Sequence, residues 1–148
     1  MQRCALRALL PVVLVAAAAV AVAGEYGTPD EAKAMLEKAV IALKENKAQA
    51  LEMFTKGEGG FSQADLYPYC GGPDGNFTAH PKLVGKSLKD LKDKTGKAFG
   101  EEIYEKARED EVVEVPYMWP RPREDEPVEK VAYVTKVDDQ ICAVGYYK

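Results

Sequence analysis

The period at which apolar residues recur changes once along this chain, and that change restricts the fold classes open to it. From Ala32 to Leu43 the apolar residues recur at every third or fourth position, which is typical of an amphipathic helix. From Leu66 onward they fall in short runs rich in aromatic and β-branched residues, which are typical of strands. A chain of 148 residues with this order of elements is predicted to form one α+β domain with a five-stranded antiparallel sheet.

The first helix carries a start signal in its sequence. Thr28 is expected to be the N-cap, Pro29 occupies the first helical position, and Glu31 completes a capping box. The apolar stripe of this helix is expected to pack against the protein's own core and not against a partner. Two shorter helices are predicted at residues 48–54 and 98–108.

Five strands are predicted from the remaining apolar runs. The first two form a hairpin through a turn dense in glycine, and the last two are joined by the Asp138-Asp139 turn. Pro68 has no N–H to donate, so the first strand is expected to be a sheet edge at that residue or to carry a bulge. The predicted strands are residues 66–70, 76–80, 112–119, 130–137 and 140–147.

The N-terminus has the three-part pattern of a secretory signal. Arg3 and Arg7 precede an uncharged apolar run that ends in small residues, and cleavage is predicted after Ala23. The alternative is an uncleaved membrane anchor, but the run is short for the ~20 residues of a spanning helix and is dominated by alanine. We therefore expect a periplasmic or secreted protein, with a signal peptide at residues 1–23 and a single domain at residues 24–148.

Two cysteines remain after cleavage, Cys70 and Cys142, because Cys4 leaves with the signal. In an oxidising compartment two thiols in a small domain favour one disulfide, and two buried free thiols are the alternative. A zinc site would need more soft ligands, and the chain has only one histidine. Neither a metal nor another cofactor is therefore expected.

Charge and motifs exclude several function classes. With 20 Lys and Arg against 24 Asp and Glu, the chain lacks the basic surface that nucleic-acid binding needs. The nucleophile-elbow, phosphate-loop, dinucleotide-binding and zinc-protease motifs are all missing from the sequence. His80 has no plausible nucleophile nearby in the sequence, so we expect a structural or ligand-contacting imidazole and no enzymatic activity.

Aromatic and basic residues are concentrated in the second half of the chain. Tyr117 and Trp119 lie in one predicted strand, and Lys130 and Tyr133 lie in the next. Aromatic side chains beside a concave sheet can form the wall of a small pocket, and one lysine at a strand end can hold a carboxylate. The alternative is that the aromatics belong to the core and that the lysine faces solvent.

A succession of short stretches runs through nearly all of residues 24–148: Tyr26-Gly27-Thr28, Asp65-Leu66-Tyr67, Asp74-Gly75, Ala79-His80-Pro81, Leu83-Val84-Gly85-Lys86-Ser87-Leu88, Asp90-Leu91-Lys92-Asp93, Tyr117-Met118-Trp119-Pro120-Arg121-Pro122, Lys130-Val131-Ala132-Tyr133-Val134 and Val144-Gly145-Tyr146-Tyr147-Lys148. In this order they resemble the single Cache domain family, which comprises extracytoplasmic sensor modules with a PAS-like sheet. The resemblance implies a long N-terminal helix packed beside the five-stranded sheet, with a small ligand enclosed between the concave face and a covering connector.

The resemblance also implies roles for individual residues in binding a short organic carboxylate. It makes Lys130 the carboxylate anchor, and it makes Tyr133 and His80 hydrogen-bond donors. Trp119 and Tyr117 would form the apolar wall. Tyr69 falls where the first strand of the family usually has an aromatic residue.

Two further implications concern the disulfide and the departures from the family. Cys70 and Cys142 fall on strands that are neighbours in this fold, which favours their pairing. Arg121 replaces a common Asn, and Pro68 stands where the family usually keeps a strand residue.

The predicted function is that of an exported binding module for a small anionic metabolite. The chain ends directly after the last predicted strand, so it is expected to pass its signal to a separate membrane histidine kinase or chemoreceptor, for instance in chemotaxis. The alternative is a protein-interaction module of the same fold that binds no ligand and contacts a receptor through its charged, proline-rich loop.

Overall fold

The computed structural model describes residues 24–148, so the signal peptide predicted at residues 1–23 and its cleavage lie outside the described residues. In the described part, two helices precede a hairpin, a third helix follows the connecting segment of residues 80–98, and three strands complete the described residues. The elements are α1 (Pro29–Glu45), α2 (Lys47–Lys56), β1 (Pro68–Gly71), β2 (Phe77–Ala79), α3 (Phe99–Lys106), β3 (Val113–Pro120), β4 (Pro127–Val137) and β5 (Gln140–Tyr147).

Helix α1 begins at the predicted capping box. The Thr28 hydroxyl accepts a hydrogen bond from the Glu31 N–H at 3.2 Å, and the Glu31 carboxylate accepts one from the Thr28 N–H at 2.8 Å. Two N–H groups that the first turn leaves unpaired are thereby satisfied. The start of the first helix is therefore confirmed.

The strands form one antiparallel sheet in the order β2-β1-β5-β4-β3. The α+β class with a five-stranded antiparallel sheet is thus confirmed. β2 pairs with β1 only at Cys70 and Gly71, where the register shifts. Pro68 therefore has a paired strand on one side only, namely β5, and its missing N–H leaves no gap in a second ladder.

Strand β4 is longer than predicted. It begins at Pro127, three residues before the predicted start at Lys130. The register explains the difference, because Val128 pairs with Trp119 and Pro127 pairs with Pro120 at the loop end of the β3–β4 hairpin. A proline at the first position of a strand is tolerated, since it needs no N–H there.

Cys70 and Cys142 are directly opposite each other on β1 and β5 and form a disulfide. Both residues are fully buried. The predicted disulfide is confirmed, and the alternative of two free thiols is wrong.

The two faces of the sheet bury different clusters. Helices α1 and α2 cover one face, which carries Cys142, Val144 and the partly buried Tyr133. The connector (residues 80–98) and helix α3 cover the other face, which carries Ala132 and Tyr117. Side chains alternate between faces along a strand, so a residue's position in its strand decides which of the two layers it joins.

The connector is held against the sheet by a buried carboxylate. Asp93 accepts hydrogen bonds from the N–H groups of Thr95, Lys97 and Met118 at 2.8, 3.1 and 2.9 Å. Burial raises the pKa of Asp93, but these hydrogen bonds outweigh it and the pKa is lowered overall. Because Met118 lies in β3, this contact fixes the connector over the strand that carries the predicted aromatic wall.

Candidate functional site

Lys130 is the most unusual residue on the connector-facing side of the sheet. Its side chain is 1% exposed, and its ammonium donates a hydrogen bond to the Tyr67 hydroxyl at 3.2 Å. The same ammonium lies 4.4, 4.8 and 5.7 Å from the ring centres of Tyr67, Tyr147 and Tyr69. Within residues 24–148 no carboxylate lies within 4.0 Å of it. A buried cation is therefore held by aromatic rings and one hydroxyl, without a counter-ion.

Gly145 explains how a lysine in β4 can turn inward. Lys130 pairs with Tyr147 and Ala132 pairs with Gly145, so the lysine stem runs across β5 at the glycine. A Cβ at position 145 would collide with the Lys130 side chain.

Burying an unpaired charge such as that of Lys130 costs several kcal/mol. Such a cost is usually tolerated where function requires the charge, so Lys130 marks a candidate binding site.

His80 follows β2 directly and offers one hydrogen-bond donor. Its Nδ1 accepts a hydrogen bond from the Lys82 N–H at 3.0 Å, which puts the proton of the neutral ring on Nε2. Burial first, and then the charges of Lys130 and Lys82, lower the pKa of His80 to about 3. The imidazole is therefore neutral at physiological pH, and its Nε2–H has no partner within residues 24–148.

The predicted aromatic wall largely fills its own hollow. The hydroxyls of Tyr69 and Tyr117 are 3.0 Å apart, and the Phe99 ring stacks on Tyr117 with 4.0 Å between ring centres. Burial raises the pKa values of both tyrosines, so both remain neutral. The space between these rings, Trp119 and His80 amounts to about 10 Å³, which is too small for an organic ligand.

A much larger cleft of about 480 Å³ opens beside this hollow. Its walls come from the end of α2, residues 57–67, residues 80–83 and the β3–β4 loop. Tyr67, His80 and Trp119 line both the cleft and the small hollow, whereas Lys130 lies behind Tyr67. The hydrogen bond to the Tyr67 hydroxyl thus links Lys130 to a residue of the cleft wall. A cleft of this volume is large enough for a small organic molecule.

Arg121 and Asp65 form another part of the cleft wall. Arg121 Nε lies 3.4 Å from Asp65 Oδ2, and the other oxygen of Asp65 accepts a hydrogen bond from the Gly27 N–H at 2.7 Å. The guanidinium carbon of Arg121 lies 4.3 Å from the ring centre of Tyr26 and 5.2 Å from that of Tyr147. Arg121 and Lys130 therefore both contact the Tyr147 ring.

The structure brings five of the six predicted ligand-contacting residues to the connector-facing side of the sheet. These are Lys130, His80, Trp119, Tyr117 and Tyr69. Tyr133 is not among them. It lies on the α1-facing side, with its ring centre 5.6 Å from that of Tyr146. Residues three positions apart in a strand lie on opposite faces of the sheet, so the hydroxyl of Tyr133 does not reach the site of Lys130.

Tyr67 and Tyr147 contact Lys130 but were not predicted to do so. Tyr67 stands two residues before Tyr69, so strand alternation alone could have placed both rings on one face. Tyr147 pairs directly with Lys130 across the β4–β5 hairpin, so the predicted strand bounds and the tight Asp138-Asp139 turn could have placed these two residues opposite each other.

Two kinds of feature are absent from residues 24–148. No group of three or more His, Cys, Asp or Glu side chains in this part of the chain is arranged to hold a metal ion. None of the helices described here combines the length and the apolar character needed to cross a bilayer.

Comparison with known proteins places these features in a family. The family model described as single Cache domain 2 matches residues 14–146. No curated protein matches the sequence.

Two solved structures resemble the fold. One, described as the periplasmic sensor domain of a chemotaxis protein, has a TM-score of 0.60 and 22% identity, covering 80% of this chain and 88% of its own. The other, described as a Cache chemosensory domain that recognises carboxylic acid, has a TM-score of 0.56 and 24% identity, covering 78% of this chain and 84% of its own.

Proposed function

We infer that this chain, which belongs to the single Cache domain 2 family, is an extracytoplasmic sensor module that binds a short organic carboxylate in the cleft beside Tyr67 and His80. The family consists of sensor domains and not of enzymes, which supports small-ligand sensing as the general function. The carboxylate as ligand, the residues that bind it and the signalling partner are our proposals.

The buried charge of Lys130 is the observation that carries this proposal. The ammonium has no carboxylate partner within residues 24–148, and its hydrogen bond to Tyr67 links it to the cleft wall. A ligand carboxylate placed against Tyr67 would supply the missing negative charge in a poorly hydrated setting. Charge-assisted hydrogen bonds are stronger there than in water.

The groups at the inner end of the cleft also favour an anion. The oxygen of Tyr67 accepts from Lys130, so the tyrosine's own proton is available to donate to a ligand. The neutral ring of His80 presents Nε2–H beside it. The half-buried Trp119 supplies an apolar surface next to these donors. Two donors beside an apolar wall suit a short carboxylate with a small hydrocarbon part.

The location of the protein and its signalling partner are part of the same proposal. The secretory pattern before residue 24 and the family assignment support a position outside the cytoplasm. One structure of similar fold is described as recognising carboxylic acid, which supports the ligand class. We propose that the bound module passes its signal to a membrane chemoreceptor or histidine kinase.

A thermal-shift panel on residues 24–148 tests the proposal. Formate, acetate, propionate and butyrate should include at least one ligand that raises the melting temperature by mass action. Lys130→Met keeps the bulk of the side chain without its charge and should abolish the shift. Tyr133→Phe, on the opposite face, is the matched control and should keep it. A shift that survives Lys130→Met would contradict the proposal.

The small hollow favours a second candidate function. Its aromatic side chains leave only about 10 Å³ between them, as expected if the fold binds no ligand and serves as a protein-interaction module. The charged loop around Arg123 and Glu124 would then contact a receptor ectodomain. Capture of a chemoreceptor ectodomain that survives both Trp119→Ala and Lys130→Met, with no thermal shift from any carboxylate, would support this function.

A further inference from the structure

We propose that Arg121 is a second anion-binding point of the cleft, so that the site takes a small dicarboxylate with one carboxylate beside Tyr67 and the other on Arg121. This inference rests on the proposed carboxylate site and narrows its ligand class.

The charge balance of the site leaves a cation without a partner. Lys130 is 1% exposed and the side chain of Arg121 is 15% exposed, and both contact the Tyr147 ring. Among the acidic side chains of the described residues, the one that lies within 4.0 Å of either cation is Asp65. The buried Lys130 and the partly buried Arg121 therefore share a single buried acidic side chain.

The pairing of Arg121 with Asp65 leaves most of the guanidinium unused. Their nearest atoms are 3.4 Å apart, and within residues 24–148 both Arg121 Nε and Asp65 Oδ2 are buried without a hydrogen-bond partner. The single hydrogen bond from Arg121 in this part of the chain runs from Nη2 to the Lys148 carbonyl at 3.4 Å. Guanidinium groups hold carboxylates best through two parallel hydrogen bonds, and Asp65 forms no hydrogen bond with Arg121.

The position of Arg121 decides where a second carboxylate would bind. Arg121, Asp65, Tyr67 and His80 all line the same cleft. The shared Tyr147 ring places Arg121 next to Lys130, with Tyr67 bonded to the lysine. A short dicarboxylate can therefore use Tyr67 and His80 at one end and the free N–H groups of Arg121 at the other. The carboxylate of Asp65 competes with this ligand for the guanidinium of Arg121.

Titration calorimetry with matched ligand pairs tests this inference on residues 24–148. Malonate, succinate and glutarate are compared with propionate, butyrate and pentanoate, in which a methyl group replaces one carboxylate. We expect at least one dicarboxylate to bind about tenfold more tightly than its partner, the least that hydrogen bonds to a charged group provide.

Two variants assign the preference to this pair of residues. Arg121→Met should remove the preference for each dicarboxylate over its matched monocarboxylate. Asp65→Asn removes the competing charge and keeps an oxygen for the Gly27 N–H, so it should strengthen dicarboxylate binding. Arg121→Lys is the second variant, for use if Arg121→Met does not fold. It keeps the charge but lacks the paired donors of the guanidinium, so it should fold and show a reduced preference for the dicarboxylate.

The outcomes separate this inference from the proposed function. Monocarboxylate binding that depends on Lys130 but shows no dicarboxylate preference would overturn the role of Arg121 alone. A preference that survives Arg121→Met and Arg121→Lys undiminished would overturn it as well. Absence of binding by all six acids would overturn both the inference and the carboxylate site.

Discussion

Acidification should destabilise this protein through His80 before its carboxylates are protonated. Burial first, and then the charges of Lys130 and Lys82, lower the pKa of His80 from 6.5 to about 3. Because the folded pKa is below the unfolded one, the unfolded state takes up the proton first. The contribution of His80 to stability is therefore complete above about pH 6.5 and is lost as the pH falls toward 3.

The size of this effect follows from the two pKa values. Between them, each pH unit removes about 1.4 kcal/mol from the free energy of unfolding. From pH 7 to pH 5 the loss amounts to about 2 kcal/mol. Carboxylates whose pKa is lowered in the fold, such as Glu31 and Asp139, lose their contribution only below their ordinary values of 4.5 and 3.8. Between pH 7 and pH 5, His80 therefore accounts for most of the loss in the free energy of unfolding.

Urea unfolding at pH 7, 6 and 5 measures the effect in the wild type and in His80→Gln. The glutamine amide oxygen can still accept the hydrogen bond from Lys82, so this variant removes mainly the titration. His80 is the sole histidine of the chain, so its NMR signal gives the folded pKa without an assignment problem. A ring that titrates near pH 6.5 in the folded protein, or equal losses in the wild type and the variant, would refute the reasoning.

Three further predictions concern the fold that supports the site. The disulfide between Cys70 and Cys142 spans 72 residues, so replacing both cysteines by alanine should lower the free energy of unfolding by about 4 kcal/mol in urea; an unchanged value would contradict the loop-entropy argument. Gly145→Ala should displace the Lys130 stem, destabilise the domain by about 1–3 kcal/mol and remove any carboxylate-induced thermal shift, whereas retention of that shift would show that the lysine adapts. Thr28→Ala should cost about 1 kcal/mol in the same urea assay and Thr28→Ser much less, and equal losses would exclude the capping hydroxyl as the cause.

Local signals explain why most of the fold could be predicted from the sequence. The capping box at Thr28 satisfies N–H groups within one turn of the same helix, so its effect does not depend on the rest of the chain. The turn at Asp138-Asp139 likewise joins two strands that are adjacent in sequence. The start of β4 at Pro127 could not be predicted in this way, because it depends on pairing with Pro120 across a charged loop.

The candidate site was less predictable, since it depends on contacts between distant strands. The burial of Lys130 requires Gly145 below it and Tyr67 above it, and these residues meet only when β5 lies between β1 and β4. The pairing of Arg121 with Asp65 is equally non-local. The placement of Tyr133 is a different case, because strand alternation already separates positions 130 and 133, and only the family resemblance put them together.

We propose above all that the buried charge of Lys130 anchors a carboxylate, and titration calorimetry with a ligand and its uncharged counterpart tests this role most directly. Propionate and propionamide have nearly the same shape, and only propionate carries the charge. Should another acid give the largest thermal shift, that acid and its amide take their place. We expect the carboxylate to bind the wild-type domain, the amide not to bind, and Lys130→Met to bind neither. Equal binding of both compounds, or carboxylate binding that is unchanged in Lys130→Met, would contradict the claim.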